Sequence, residues 1–189
     1  MPEEPTTPVP TRERLRSALR ATADLPYGGE PVDQLSHALQ TGTLAVRAGA
    51  RPAVVAAALL HDIGRSPEVE AQLPDAPHER AGAAFCTRLL GHEVGWLVGA
   101  HVLAKRALVA LDPEYAALLS PVSVASLQEQ GGPAASDEVE RFLRHPLAEE
   151  AMLIRRWDDE AKVPDAPTSG LDELVDITMT ARVENTGAA

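Results

Sequence analysis

The sequence predicts an all-α fold, and three observations lead there. Aromatic residues make up only 3% of the chain while alanine and leucine are abundant, which favours closely packed helices over a β-sandwich. Apolar residues recur at helical spacing along most of its length. Proline, glycine and short polar residues fall between those segments, where helices start and stop. With 189 residues the chain can bury one full core, and nothing in it demands two. The expected organisation is a flexible leader over residues 1–10, a helical body over 11–163, and a partly helical extension over 164–189.

The leader carries four prolines and little to bury. Thr11 reads as the N-cap of a helix to about residue 23, with Leu15, Ala18, Leu19 and Thr22 on one face. Tyr27-Gly28-Gly29-Glu30-Pro31 is a loop that could move. A second helix is expected over residues 31–48, with Leu35, Ala38, Leu39 and Val46 inward; His37 and Gln40, three apart, share a face. Gly49 to Pro52 stops that helix and starts the central one, an uncharged run over residues 52–60 that leads straight into His61 and Asp62.

Residues 66–77 read as a loop, after which His78 opens a helix with Ala81, Ala84, Phe85 and Leu89 inside. Leu90-Gly91 ends it. The next helix carries Val94, Leu97, Val98, Val102 and Leu108, together with His101 and Lys105. Asp112-Pro113 starts a short helix, and Ser120-Pro121 starts another to residue 130 on which Ser123 and Ser126 share a face. Helices over residues 136–144 and 147–162 follow, the second holding Arg155, Arg156, Trp157, Asp158 and Asp159. After the break at Pro164-Asp165-Ala166-Pro167, Leu171, Leu174, Val175 and Ile177 mark a last helical pattern.

Composition also narrows the function. The net charge of −11 argues against nucleic acid as a partner, since phosphate backbones need a basic face. Any anionic ligand must meet a local cluster of cations, for which Arg65, Lys105, Arg106, Arg155 and Arg156 are the candidates. The run over residues 52–60 falls far short of the roughly 20 apolar residues that cross a bilayer, so no membrane association is expected. The acidic, proline-rich start is unlike a signal peptide, and a cytoplasmic location is expected. Cys86 is the single cysteine and reads as a small core residue, which leaves no disulfide or zinc knuckle to build.

The chemistry gathers at His61-Asp62. A carboxylate at the end of a buried helix loses its hydration and calls for a counter-charge, which a bound cation would supply. The plainer alternative makes Asp62 a turn cap and His61 an ordinary half-buried histidine. Against it stands the series His37, His61-Asp62, His78, His101 and Asp158, each on a predicted helix or helix edge. His92 and His145 read as surface or helix-end residues. Lys105 lies one turn after His101; a lysine there suits an anion held between it and a metal, unless it simply bends out to water. The serines near residue 120 suit oxyanion contacts, though such serines are also ordinary caps.

That ordered series resembles the two-metal signature of the HD-domain superfamily, an all-α helical bundle. Further marks over roughly residues 27–162 narrow the resemblance: Tyr27-Gly28-Gly29-Glu30, His37-Ala38-Leu39-Gln40, Leu60-His61-Asp62-Ile63-Gly64, His101-Val102-Leu103-Ala104-Lys105-Arg106, Leu119-Ser120-Pro121-Val122-Ser123, Gln130-Gly131-Gly132-Pro133 and Arg155-Arg156-Trp157-Asp158-Asp159. Together these are similar to the mixed-valent diiron oxygenases that cleave carbon–phosphorus bonds.

The resemblance implies that His37, His61, Asp62, His78, His101 and Asp158 hold two iron ions in an Fe(II)/Fe(III) state, about 3.5 to 4 Å apart. Asp62 would bridge them, and Asp158 rather than Asp159 is the sixth ligand. It implies O2 as co-substrate and a small anionic organophosphonate, a 1-hydroxyphosphonate, as substrate, with a carboxylic acid and inorganic phosphate as products. Lys105, Ser123 and Arg155 would hold the phosphonate, with Gln40 and Glu30 as further substrate contacts. Tyr27 would gate the open iron position, and Glu30 would meet the amino end of a substrate. An Fe(II)/2-oxoglutarate hydroxylase would act before it in a pathway. HD phosphohydrolases use the same ligand set, so hydrolysis of a nucleotide or small phosphomonoester stands as the alternative, and a metal-retaining sensor as a third. Arg65 follows Ile63-Gly64 where many relatives have histidine, which leaves the group on C2 of the substrate open.

Overall fold

A computed structural model describes residues 10–186 of the protein, with side chains through Ala181. Eleven α-helices fill the described residues, and the one extended pairing among them is an isolated bridge between Pro26 and Asp33. The all-α expectation holds. The leader expected over residues 1–10 lies, apart from Pro10, outside the described residues.

The first helix, α1, spans Thr11–Arg20, with Pro10 at the N-cap. Thr11 is thus the first helical residue and not the cap expected of it. Leu15, Ala18 and Leu19 are buried as expected, and a non-helical turn carries the chain on through Thr22, whose hydroxyl donates to the Leu19 carbonyl at 2.7 Å. The second helix, α2, starts three residues later than expected and spans Gln34–Arg47. Pairing of Pro26 with Asp33 holds the loop open until Asp33, whose carboxylate accepts from the Ser36 N–H at 2.7 Å and so caps the helix.

Helix α3, Pro52–Leu60, is the centre of the molecule, and from Ala53 onward all its residues are buried. Helices α2, α6, α10 and α11 all pack against it. A helix apolar on every side has to be surrounded, and this one is. Beyond it, residues 66–77 contain a short helix, α4, Pro67–Glu70, which buries Val69.

Helices α5, His78–Leu90, and α6, His92–Leu111, form a tight hairpin. A β-carbon at Gly95 would fall 1.9 Å from Thr87 Oγ1 and 3.0 Å from the Ala83 carbonyl, so only glycine allows this approach. Small residues at the contact are what a helix pair this close requires. The inner face of α5 is Ala81, Gly82, Phe85, Cys86 and Leu90; Ala84, expected inside, is exposed, and Leu89 is only half-buried. The face is rotated by about one residue from the expected one. By length and mean hydropathy, 1.4 over its most apolar window, α6 could cross a membrane, yet 61% of that window is buried among the other helices. It is a core helix.

Four helices complete the body: α7, Pro113–Leu118; α8, Pro121–Glu129; α9, Ser136–Leu143; and α10, Ala148–Glu160. Asp112 and Ser120 cap α7 and α8 through their side chains, as the Asp-Pro and Ser-Pro pairs suggest. The last helix, α11, Leu171–Thr186, packs on α3 through Leu174, Val175, Thr178 and Ala181. Leu174 sits over Gly42 of α2, where a β-carbon would come within 3.3 Å of its methyl group.

This packing makes the extension part of the same core. Leu174→Ala is expected to destabilise the whole fold by about 2 to 5 kcal/mol in chemical denaturation, as a buried leucine truncation does. A loss confined to α11, with the main transition unmoved, would show that the extension folds separately.

Candidate metal centre and cavity

Six side chains from five elements converge at one end of α3. His37 comes from α2, His61 and Asp62 from the turn that ends α3, His78 from the first residue of α5, His101 from α6 and Asp158 from α10. They form two groups: His37, His61 and Asp158, and Asp62, His78 and His101. Within each, the candidate ligand atoms lie within 4.8 Å of one another. The six residues singled out in the sequence are brought together, and His92 and His145 are not among them.

In the first group His37 Nε2 is 3.1 Å from His61 Nε2 and 3.3 Å from Asp158 Oδ1, and His61 Nε2 is 3.6 Å from Asp158 Oδ2. In the second, Asp62 Oδ1 is 3.0 Å from His78 Nε2 and 3.6 Å from His101 Nε2, which are 3.1 Å apart. The other Asp62 oxygen, Oδ2, lies 3.8 Å from His61 Nε2. One carboxylate therefore presents an oxygen to each group.

The donor set fits metal ions. His37, His61 and His101 each direct Nδ1 at a main-chain carbonyl, of Ala161 at 2.8 Å, Ala58 at 2.9 Å and Val98 at 2.7 Å. Those bonds need Nδ1–H, which leaves each Nε2 with a lone pair pointing inward. Two Nε2 lone pairs facing each other at 3.1 Å are repulsive unless a cation lies between them. Burial lowers His61 and pushes His101 down to about 3, so both rings are neutral near pH 7.

The carboxylates point the same way. Burial alone would raise Asp62, yet neighbouring His61, His78 and Arg65 hold it well below the usual range. With His61 and His101 neutral, the fixed charge beside Asp62 is Arg65, 3.5 Å away and 43% exposed. A divalent cation would supply the rest. Burial likewise opposes ionisation of Asp158, and Arg155 together with the neighbouring histidines holds it well below the usual carboxylate range.

A cavity of about 330 Å³ opens beside the two groups. Tyr27 and Glu30 reach it from the loop between α1 and α2, where the Glu30 N–H donates to the Tyr27 carbonyl at 2.8 Å in a tight turn. The Tyr27 ring stacks on His37 at 3.8 Å and its hydroxyl donates to Asp158 Oδ1 at 3.0 Å. Lys105 is 2% exposed; its ammonium donates to Ser126 Oγ at 2.7 Å and Gln130 Oε1 at 3.3 Å, both neutral. Burial, reinforced by Arg155, brings its pKa down to about 8. It does not bend out to water.

Ser123 and Arg155 line the same cavity. Arg155 is clamped by Asp158 and Asp159, and its Nε donates to Tyr115 Oη at 3.1 Å. Gln40 does not line it; its amide donates to the Val163 carbonyl at 2.9 Å and accepts from the Val163 N–H at 3.1 Å, fixing the chain that leaves α10. Among the five cations proposed as an anion cluster, Arg106 is bound to Glu138 and Gly132, and Arg156 to Asp112 and the face of Tyr115. Only Arg65, Lys105 and Arg155 face the cavity. Lys162 joins them, a residue that in the sequence is only the last of an expected helix, with no motif to mark it. Gln34 and Tyr115 were missed as well; their side chains carry no motif.

Gly64 explains how His78 reaches Asp62. A β-carbon there would lie 1.9 Å from the His78 carbonyl oxygen, so glycine lets the 3₁₀ turn Ile63–Arg65 touch the start of α5.

A helical fold with this paired site defines a class, and comparison bears it out: the HD-domain family model matches residues 35–161. The chain belongs to the HD-domain family. Over 150 residues, covering 77% of this chain and 76% of the relative, it is 36% identical to a 1-hydroxy-2-(trimethylamino)ethylphosphonate dioxygenase (glycine-betaine-forming) of Leisingera caerulea. Over 150 residues, 76% of this chain and 75% of the relative, it is 38% identical to a hydroxymethylphosphonate dioxygenase of Gimesia maris. An uncharacterized protein of Acanthamoeba polyphaga mimivirus is 30% identical over 153 residues, 77% of this chain and 70% of its own length.

Two substitutions test the centre. Asp62→Ala, which removes the residue common to both groups, is expected to reduce bound metal, measured by elemental analysis, from two ions per chain to fewer than one. Gly64→Ala should displace His78 and cost about 1 to 3 kcal/mol through overpacking. Full metal content in Asp62→Ala would disprove the bridging role.

Proposed function

We propose that this protein is an oxygenase that cleaves the carbon–phosphorus bond of a 1-hydroxyphosphonate with O2. The observation that carries the reading is Asp62, one oxygen toward each histidine group, beside a buried ammonium with neutral partners. The names of the two dioxygenase relatives support the reaction class. In the overall reaction the C1–phosphorus bond breaks, C1 leaves as a carboxylate and phosphorus as inorganic phosphate. Both atoms of O2 are taken up in the products, so no outside reductant is needed.

Two iron ions in a mixed Fe(II)/Fe(III) state are the cofactor on this reading, held by His37, His61 and Asp158 on one side, His78 and His101 on the other, and Asp62 between. Imidazole and carboxylate without thiolate suit iron. Bound there, iron supplies the redox chemistry, and the protein supplies position and charge.

Lys105 is the main phosphonate contact, since its charge is buried and unspent. Ser123 offers a hydroxyl beside it. Arg155 adds positive potential while keeping Asp158 in place. Tyr27, stacked on His37 and bonded to Asp158, covers the first group until a ligand shifts it. Glu30 closes the cavity from the same loop, and Gln40 acts at a distance by fixing Val163. On the same reading residues 11–163 are the HD body and 164–189 its extension. The protein works in the cytoplasm, after an Fe(II)/2-oxoglutarate hydroxylase that makes the substrate's C1 hydroxyl.

The test is oxygen uptake and phosphate release by iron-loaded protein with a panel of 1-hydroxyphosphonates, and phosphate esters alongside. Equal molar uptake of oxygen and release of phosphate is expected from a phosphonate. Phosphate from the esters alone, with no oxygen consumed, would make the protein a phosphohydrolase.

Lys105→Ala is expected to keep its metal and raise KM by roughly 10-fold or more, the scale of a lost charged contact. In the wild type kcat/KM should fall as pH rises through about 8, because deprotonation of Lys105 removes the charge that binds the anion. An unchanged KM in the variant would end that role for Lys105.

A further inference from the structure

Four cationic side chains, Arg65, Lys105, Arg155 and Lys162, line the cavity against three carboxylates, Glu30, Asp62 and Asp158. Two of the carboxylates belong to the candidate metal groups. Glu30 is the lining carboxylate left over, so a positively charged part of any ligand would need it as counter-ion.

Glu30 already has one. It accepts a hydrogen bond from Ser120 Oγ, and its Oε1 lies 3.3 Å from Lys162 Nζ, with each side chain only 11% exposed. Lys162 is held from its other side too, donating to Ser123 Oγ at 2.7 Å and reaching Asp159 Oδ1 at 3.4 Å. The backbone on both sides is fixed. Glu30 ends the Tyr27 turn, and Lys162 sits between Ala161, whose carbonyl accepts from His37, and Val163, which Gln40 grips in both directions. Neither partner can move far without loosening something that positions the centre.

Building on the phosphonate reading, we infer that Lys162 is a specificity-determining residue: with Glu30 paired to it, the enzyme takes 1-hydroxyphosphonates whose remaining substituent is uncharged and rejects those that carry an ammonium or trimethylammonium group. A cationic substituent would have to share Glu30 with a nearly buried ammonium or push it out. The first sets two like charges a few ångströms apart away from bulk water, and the second leaves Lys162 buried with less to pair with. A hydrogen or small alkyl group asks for neither.

The test separates charge selection from the reaction itself. Metal-loaded wild type, Lys162→Met and Lys162→Arg are titrated calorimetrically with ethylphosphonate, 2-aminoethylphosphonate and 2-(trimethylammonio)ethylphosphonate, which share one headgroup. Turnover of the 1-hydroxy counterparts is followed in parallel. Ethylphosphonate is expected to bind the wild type and Lys162→Arg about tenfold or more tightly than either cationic compound, with the gap closing in Lys162→Met.

Equal or tighter binding of the cationic compounds to the wild type overturns the inference, as does the same gap in Lys162→Met. The expected binding order without oxygen-dependent phosphate release from any phosphonate would uphold Lys162 and defeat the oxygenase reading. Turnover with a reversed order would do the opposite, and no binding of any phosphonate would defeat both.

Discussion

The structure depends on keeping two carboxylates, Asp62 and Asp158, ionised where water scarcely reaches. Asp158 is 1% exposed and Asp62 8%. A buried anion is tolerated only when charge and hydrogen bonds replace its lost hydration. For Asp158 much of that replacement is Arg155, itself buried and braced by Asp159 and Tyr115. For Asp62 it is the Nε2 of His78 at 3.0 Å and the edge of one arginine, an incomplete set that acquires its meaning when cations join it. Five elements are arranged around this requirement, and α3, with no polar side chain to satisfy, can sit at their centre.

Helices and candidate ligands were legible in the sequence to different degrees, for different reasons. Helix positions follow from local rules: Pro52 at the first position of α3 and Asp112 and Ser120 as caps need no knowledge of the rest of the chain. Where a long-range contact intervened, local rules slipped. Pairing of Pro26 with Asp33 delayed α2, and the close approach of α6 turned α5 so that Ala84 faces out. The six convergent residues stood out because few residue types perform that chemistry, and their order along the chain is itself informative.

The second layer around them was not legible. Gln40 shares a helix face with His37, yet it serves the main chain at Val163, 123 residues away. Arg106 follows Lys105 directly and is turned aside to Glu138, while Arg156 follows Arg155 and goes to Asp112. Adjacent residues on a helix point about 100° apart, so a basic pair in sequence is rarely a basic pair in space. Which member faces the cavity is settled by tertiary packing. Lys162 and Tyr115 show the converse, since each enters the site through partners remote in sequence.

The main-chain anchoring of the histidines bears on how fast anything held there could leave. His37, His61 and His101 are tied through Nδ1 to carbonyls, and those of Ala58 and Val98 lie within the same stretch of helix as the ring they hold. Such rings cannot swing aside by a simple rotamer change. His37 differs, because its carbonyl belongs to Ala161, at the buried end of α10, which Gln40 fixes through Val163. His78 is the fourth ring, its Nδ1 3.3 Å from Glu79 Oε2 and its side chain 17% exposed, so it is held by a side chain where the others are held by the backbone. An ion held there would leave sooner past His78 than past the three backbone-anchored rings.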